Sequence, residues 1–242
     1  MKLLKFIFII GFLTIAVYLV LLANPTVVFA HKIEYKQFTV WSDRPIEPGW
    51  NDVLDDAVRR LETSELYDKS IPIRIFVCNN PWRLQIFTRS TSVGGFADTF
   101  FTRNIFLREV VAANNQLIPP YGTLAEAQAR PLSYFVAHEV IHVFQSRHFG
   151  RTVSISSPTW LVEGYADLIA KAGDFDFEKN LKLFKEDHPI MNRSQAKSGL
   201  YNRYHLMTEH VISSQTKSIV EIFQSPPLEE VVVSELKSRS FD

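Results

Sequence analysis

Two histidines and a glutamate stand in the run Ala137-His138-Glu139-Val140-Ile141-His142, and a second run, Trp160-Leu161-Val162-Glu163-Gly164-Tyr165-Ala166-Asp167, brings two carboxylates shortly after it. On a helix, residues four apart differ by about 40° around the axis and about 6 Å along it, so His138 and His142 present their imidazoles to one point and can share one ion. Glu139 lies roughly 100° round from His138, a poor angle for a ligand but suited to reaching a water molecule held at the ion. The chemistry this implies is hydrolysis by a metal-activated water, with Glu139 as the base.

A histidine pair needs a third ligand, and the chain offers two. His148 follows His142 by six residues, the spacing of HExxHxxGxxH, but that pattern turns the chain at a glycine where this sequence has Gln145, a good helix former. A helix that continues through Gln145 carries His148 about 9 Å beyond His142, out of reach of the same ion. His148 is therefore read as a last-turn residue ahead of Gly150, where its ring favours the helix carboxyl end. Glu163 is the other choice, on a separate helix beginning near Thr159, with Asp167 one turn further on the same face. His138, His142 and Glu163 then make a His-His-Glu set that leaves a fourth position for water, as in catalytic rather than structural zinc, and Zn2+ is the expected cofactor. Asp167 is positioned to accept the free ring N–H of a ligand histidine and fix its tautomer.

The elements that must hold these residues follow from periodicity. Trp50, Val53, Leu54, Ala57, Val58 and Leu61 recur at helical steps, with Asp52, Asp55, Asp56, Arg59 and Arg60 on the other face. A strand is expected at 36–41, and another where Ile71, Ile73, Ile75 and Val77 alternate with Pro72, Arg74 and Phe76 as in a half-buried sheet. A short helix at 81–87 precedes a loop at 92–95. Segments 96–101 and 104–110, joined through Thr102-Arg103, read as a hairpin directly before the metal helix. The strand from Asn104 to Val110 is a candidate for the outer one, bordering the cleft and adding an extended peptide substrate as a further strand, against the competing reading of an ordinary core strand. Pro119-Pro120-Tyr121-Gly122 marks a break. Pro131 opens a helix to about Phe149, apolar on both sides of the histidine pair and hence central, and the chain from Pro158 onward is mainly helical.

Composition limits the alternatives. The 242 residues are 46% hydrophobic and 21% charged, an ordinary globular balance. The 26 basic and 26 acidic residues cancel, which leaves no broad positive surface for nucleic acid. Cys78 is the only cysteine, so a disulfide within the chain and a thiolate cluster are both excluded and metal must be held by histidine and carboxylate; its apolar neighbours make it a small core residue. At the amino terminus, Lys2 and Lys5 precede an almost uninterrupted apolar stretch from Phe6 to Ala23, closed by Asn24-Pro25 and a small-residue site at Val28-Phe29-Ala30. Residues 1–30 are thus a membrane anchor or a signal cleaved after Ala30, with the domain extracytoplasmic in either case.

The residues at 138–142 and 160–167 resemble the gluzincin branch of the zincin metallopeptidases, the group that includes thermolysin. The likeness is close over roughly 130–170 and loose elsewhere, and the short layout is more similar to minimal peptidase-MA-like domains than to large two-domain enzymes. It implies an α+β zincin-like domain over 31–242: a mainly sheet-forming part at 31–128, with a small mixed sheet packed on the metal-binding helix, and a helical part at 129–242 carrying the metal site. It also implies a zinc peptidase in which His138, His142 and Glu163 are ligands, Glu139 is the general base and Asp167 supports the site. A gluzincin further supplies a Tyr or His donor for the negative oxygen of the tetrahedral intermediate. Tyr201, Tyr204, His205 and His210 lie on a helical stretch at 200–212, with Tyr201 the first choice and Tyr204 the second. The competing reading is a catalytically inactive zincin-like module that binds a peptide or envelope protein in the same groove.

Overall fold

The computed structural model describes residues 2–119, 130–191, 197–215 and 217–240. The 119–122 break beyond Pro119, and the expected division at 128/129, lie outside them. The architecture is α+β: an apolar amino-terminal helix, a small mixed sheet, and a mainly helical remainder.

Helix α1 (Lys2–Ala23) leads through a 3-10 turn at Pro25–Val28 into strand β1 (His31–Tyr35). Lys36 adopts a left-handed φ of 51° and turns the chain back into β2 (Phe38–Ser42). The strand expected at 36–41 is therefore the second arm of a hairpin, whose first arm the sequence reading missed. Helix α2 (Trp50–Leu61) buries the apolar stripe read from its periodicity, Trp50, Val53, Leu54, Ala57 and Leu61. Strand β3 (Ile73–Cys78), helix α3 (Pro81–Thr88), β4 (Gly95–Ala97) and β5 (Ile105–Arg108) follow, then a two-stranded pair, β6 (Val110–Val111) and β7 (Gln116–Leu117).

The five-stranded sheet has the order β1-β2-β3-β5-β4, parallel in the middle and antiparallel at both edges. This corrects two expectations. Strand β3 is buried on both faces: Ile73, Ile75 and Val77 join the main core under the helices, while Phe76 and Cys78 join a second core with Phe29, Leu84, Phe87 and Phe106. The segment from Asn104 to Val110 takes the second of its two readings, the ordinary core strand, and is not the outer strand to which a peptide could add. Its Ile105, Phe106 and Leu107 are apolar on both faces, so β5 takes the interior position against β3 and pushes the short β4 to the edge. The connection between β4 and β5 is longer than Thr102-Arg103 and is folded around Asp98, whose carboxylate accepts hydrogen bonds from the Phe101 and Thr102 amides and the Thr102 hydroxyl.

Helix α4 (Leu132–His148) carries the histidine pair and packs between the sheet, α2 and the next long helix. Its start is fixed from a distance. Asn115 accepts the Leu132 amide on its carbonyl at 2.7 Å and the Ser133 amide on its side chain at 2.9 Å, satisfying donors that Pro131 at the cap cannot. A short α5 (Val153–Ser156) precedes α6 (Thr159–Lys171), which carries Glu163. Helices α7 (Phe177–Lys185), α8 (Lys197–Gln215), α9 (Ile219–Gln224) and α10 (Glu229–Ser238) complete the chain, with α8 packed along α6.

Candidate metal centre

His138 and His142 sit one turn apart on α4, and α6 brings Glu163 to them. The separations are 3.2 Å between the two Nε2 atoms, 3.3 Å from His138 Nε2 to Glu163 Oε2 and 3.5 Å from His142 Nε2 to the same oxygen. A tetrahedral ion with bonds of about 2.1 Å keeps its donor atoms about 3.4 Å apart, so the three donors already stand at the spacing one small divalent cation needs. Among the described residues this is the one group of histidine and carboxylate side chains that converges in this way. His148, at the end of α4, is not part of it.

The groups around the donors explain their orientation. Gln145 is fully buried, and its amide Nε2 donates to the Val162 carbonyl on α6 at 2.9 Å. That fixes Oε1 as the atom facing His142 Nδ1, 2.9 Å away, so the imidazole donates from Nδ1 and directs its Nε2 at Glu163, the nitrogen that deprotonation would free for a metal. Burial acts to lower the pKa of His142, but the Glu163 carboxylate and Gln145 outweigh it and push the imidazole up to about 9. Glu163 is held well below the usual carboxylate range by His142 and His138, against its own burial. Without metal, then, His142 and Glu163 form an ion pair, with His138 Nε2 beside it at 3.3 Å from the carboxylate.

Glu139 is buried on the wall of the same cleft, a cavity of about 360 Å³ bordered by β4, α4, α6 and Tyr201. Burial raises its pKa, opposed by His138, His142 and the Ala97 amide and reinforced by Glu163, which makes it a stronger base than a solvated carboxylate. Strand β4 approaches Glu139 closely: a Cβ at Gly95 would stand 2.7 Å from its Cγ and Oε1, so any larger residue here would have to displace the Glu139 side chain. Hydrogen bonds from the Asp98 amide to Asn104 and from the Arg108 amide to Gly94 direct residues 94, 96 and 98 toward β5. The alternation of an antiparallel ladder then turns the backbone of Gly95 and Ala97 outward, toward the cleft.

Asp167 lies near the centre but does not orient a ligand histidine. Its carboxylate takes the Tyr134 hydroxyl on Oδ1 and His205 Nδ1 (3.0 Å) and Lys171 Nζ (2.6 Å) on Oδ2, while His138 Nδ1 is buried with no hydrogen-bond partner among the described residues. Tyr134 is the reason. One turn before His138 on α4, it places its ring beside the imidazole, with centroids 5.9 Å apart, and its hydroxyl on Asp167. Burial would raise the Asp167 carboxyl, but Lys171, His205 and Arg130 hold it far below its ordinary value.

Of the four candidate donors on α8, Tyr201 alone lines the cleft, with its ring edge-on to His138 at 5.5 Å. Burial, with Glu163 and Glu139, raises its pKa far above that of a solvated phenol, so the hydroxyl keeps its proton. Tyr204 packs on the main core, and its carbonyl faces Gly164. His205 is stacked on Phe175 and bound to Asp167, and His210 pairs with Glu235. Gln145, Tyr134 and Gly95 were missed from sequence. Gln145 stands three residues after His142 and Tyr134 four before His138, spacings that put both on the ligand face of α4; nothing local marks Gly95.

Set against known proteins, the chain gives no match to a family model or to a curated protein.

Proposed function

We propose that this chain is a membrane-anchored zinc peptidase of the gluzincin type, with an extracytoplasmic zincin-like domain, acting on extended peptides. The observation that carries this reading is the convergence of His138, His142 and Glu163 at tetrahedral donor spacing beside a buried, basic Glu139. Zinc bound by those three residues would bring the pKa of a water molecule to near 7 and polarise a peptide carbonyl. Glu139 is placed to take a proton from water in the cleft and to pass it to the departing amine. The protonated Tyr201 hydroxyl is the donor available to the oxygen that becomes negative. A peptide laid along β4 would pair with the outward backbone of Gly95, since the Ala97 amide is held by Glu139 and its carbonyl by the Thr99 amide, and the exposed rings of Phe96 and Phe100 at the rim favour apolar side chains.

Replacing Glu139 by Gln keeps the shape of the site and removes the base. Peptide hydrolysis is expected to fall by about 10²–10⁴-fold while one zinc per chain is retained, measured with a quenched peptide library and by metal analysis. Undiminished turnover in E139Q would sink the mechanism. Zinc and peptide binding without turnover in the unmodified chain would establish the inactive module instead.

A further inference from the structure

We propose that α3, with Trp82 at its outer face, is a membrane-seated surface that holds the domain against the bilayer leaflet on its own side. This rests on reading α1 as a retained anchor and is independent of the peptidase reading. Helix α1 is not tethered to the domain by a loose linker. Tyr18 donates to the Ile86 carbonyl of α3 at 2.7 Å, and Leu22 and Phe29 are buried in the second core. Phe29 packs on Phe76 at 5.2 Å and on Phe87 at 5.7 Å, the Arg83 guanidinium lies over its ring, and β1 begins two residues later.

The depth of α3 follows from helix geometry. The apolar span Lys5–Ala23 has 19 residues, of which only 6% are buried in the protein; at about 1.5 Å per residue it extends about 28 Å, just the roughly 30 Å of a hydrocarbon core. Tyr18 is five residues before the end of that span, so its contact with Ile86 lies about 7 Å below the end of the helix. Raising α1 until Tyr18 clears the hydrocarbon would leave only residues 5–17 to span it, about 20 Å, which is too short. The contact therefore brings the Ile86 end of α3 down to the hydrocarbon side of the membrane–water boundary, with the rest of the helix beside it at that boundary. Its composition suits that place: PWRLQIFT contains no acidic residue, Leu84 and Phe87 face the core, and Pro81, Trp82, Gln85 and Arg89 face out, with Trp82 55% exposed. An indole with an apolar body and one N–H belongs at a membrane–water boundary; Arg83 under it is held by Asp43, and the exposed Arg89 just past the end of α3 is the cation placed to meet lipid phosphate.

The test uses the full-length chain in phospholipid nanodiscs with a nitroxide on Trp82→Cys; Cys78 is buried, with its thiol pKa pushed up, and does not compete for the label. Collision with a water-soluble nickel chelate is expected to be about fivefold lower than for a label at the exposed Lys69→Cys, with oxygen accessibility raised in parallel. Brominated lipids should quench native tryptophan emission, and Trp82→Phe should remove most of that quenching. Equal nickel accessibility at 82 and 69, in protein whose mass shows residues 1–30 present, overturns the seating of α3. A purified chain that begins after Ala30 overturns the anchor reading and this proposal with it.

Discussion

Gln145 links the two helices that carry the candidate metal donors, because one amide group accepts from His142 on α4 and donates to Val162 next to Glu163 on α6. Gln145→Leu removes both bonds while keeping similar volume, and zinc affinity is expected to fall about 10–100-fold. Gln145→Glu keeps the acceptor for His142 and should recover part of that loss. Isothermal titration gives the affinities, and nitrogen chemical shifts of His142 report whether Nδ1 still carries the proton; an unchanged affinity in the leucine variant would show Gln145 to be packing only. Tyr201→Phe tests the other wall of the cleft. Removing its hydroxyl should lower kcat by about 10²–10³-fold with little change in KM if it supports the transition state, by the cost of losing such a donor, and steady-state kinetics separates that from a loss of peptide binding.

At the scale of elements, the site depends on how closely α6 can approach α8. Gly164 follows the candidate ligand Glu163, and a Cβ there would stand 2.2 Å from Thr208 Oγ1 and 2.3 Å from the Tyr204 carbonyl. The second of these is backbone and cannot rotate away, so Gly164→Ala must push the helices apart. The expected cost is about 1–3 kcal/mol in folding stability, with weakened zinc binding because Glu163 moves with the displaced turn. Chemical denaturation with and without zinc measures both; a variant as stable as the parent would show that the helices part without strain. These elements were unevenly legible in the sequence. The α2 stripe and the metal helix announced themselves because a 3.6-residue period is local. The order of strands did not, since the apolar run of β5 reads alike in an edge and an interior strand until β3 and β4 compete for its two sides.

For the molecule as a whole, the proposed metal site predicts that metal binding and pH are coupled through His142. Its folded-state pKa of about 9 lies above the ordinary value near 6.5, so the stability it lends the metal-free protein is fully present below about pH 6.5 and is lost as pH rises through 9. Metal binding needs the neutral imidazole, and at neutral pH that proton must leave. Apparent zinc affinity should therefore rise about tenfold per pH unit from near 7 toward 9, with one proton released per zinc. Titration calorimetry in buffers of different ionisation enthalpy counts that proton, and a pH-independent affinity would show the ion pair to be absent.

The grouping of His138, Glu139, His142 and Glu163 was legible in the sequence because three of them share one turn of one helix, and because side-chain chemistry, not position, fixes what a carboxylate or imidazole can do. Tertiary structure decided what surrounds them. Asp167, expected at a ligand histidine, is instead held by Tyr134, His205 and Lys171, since burying a carboxylate requires the strongest donors that packing brings within reach. Gln145 took the orienting role, and β4 rather than β5 took the edge of the cleft. The apolar amino-terminal helix was plain in the sequence; its packing against α3 and the back of the sheet was not, because that contact joins residues far apart in the chain, and only the folded core brings them together.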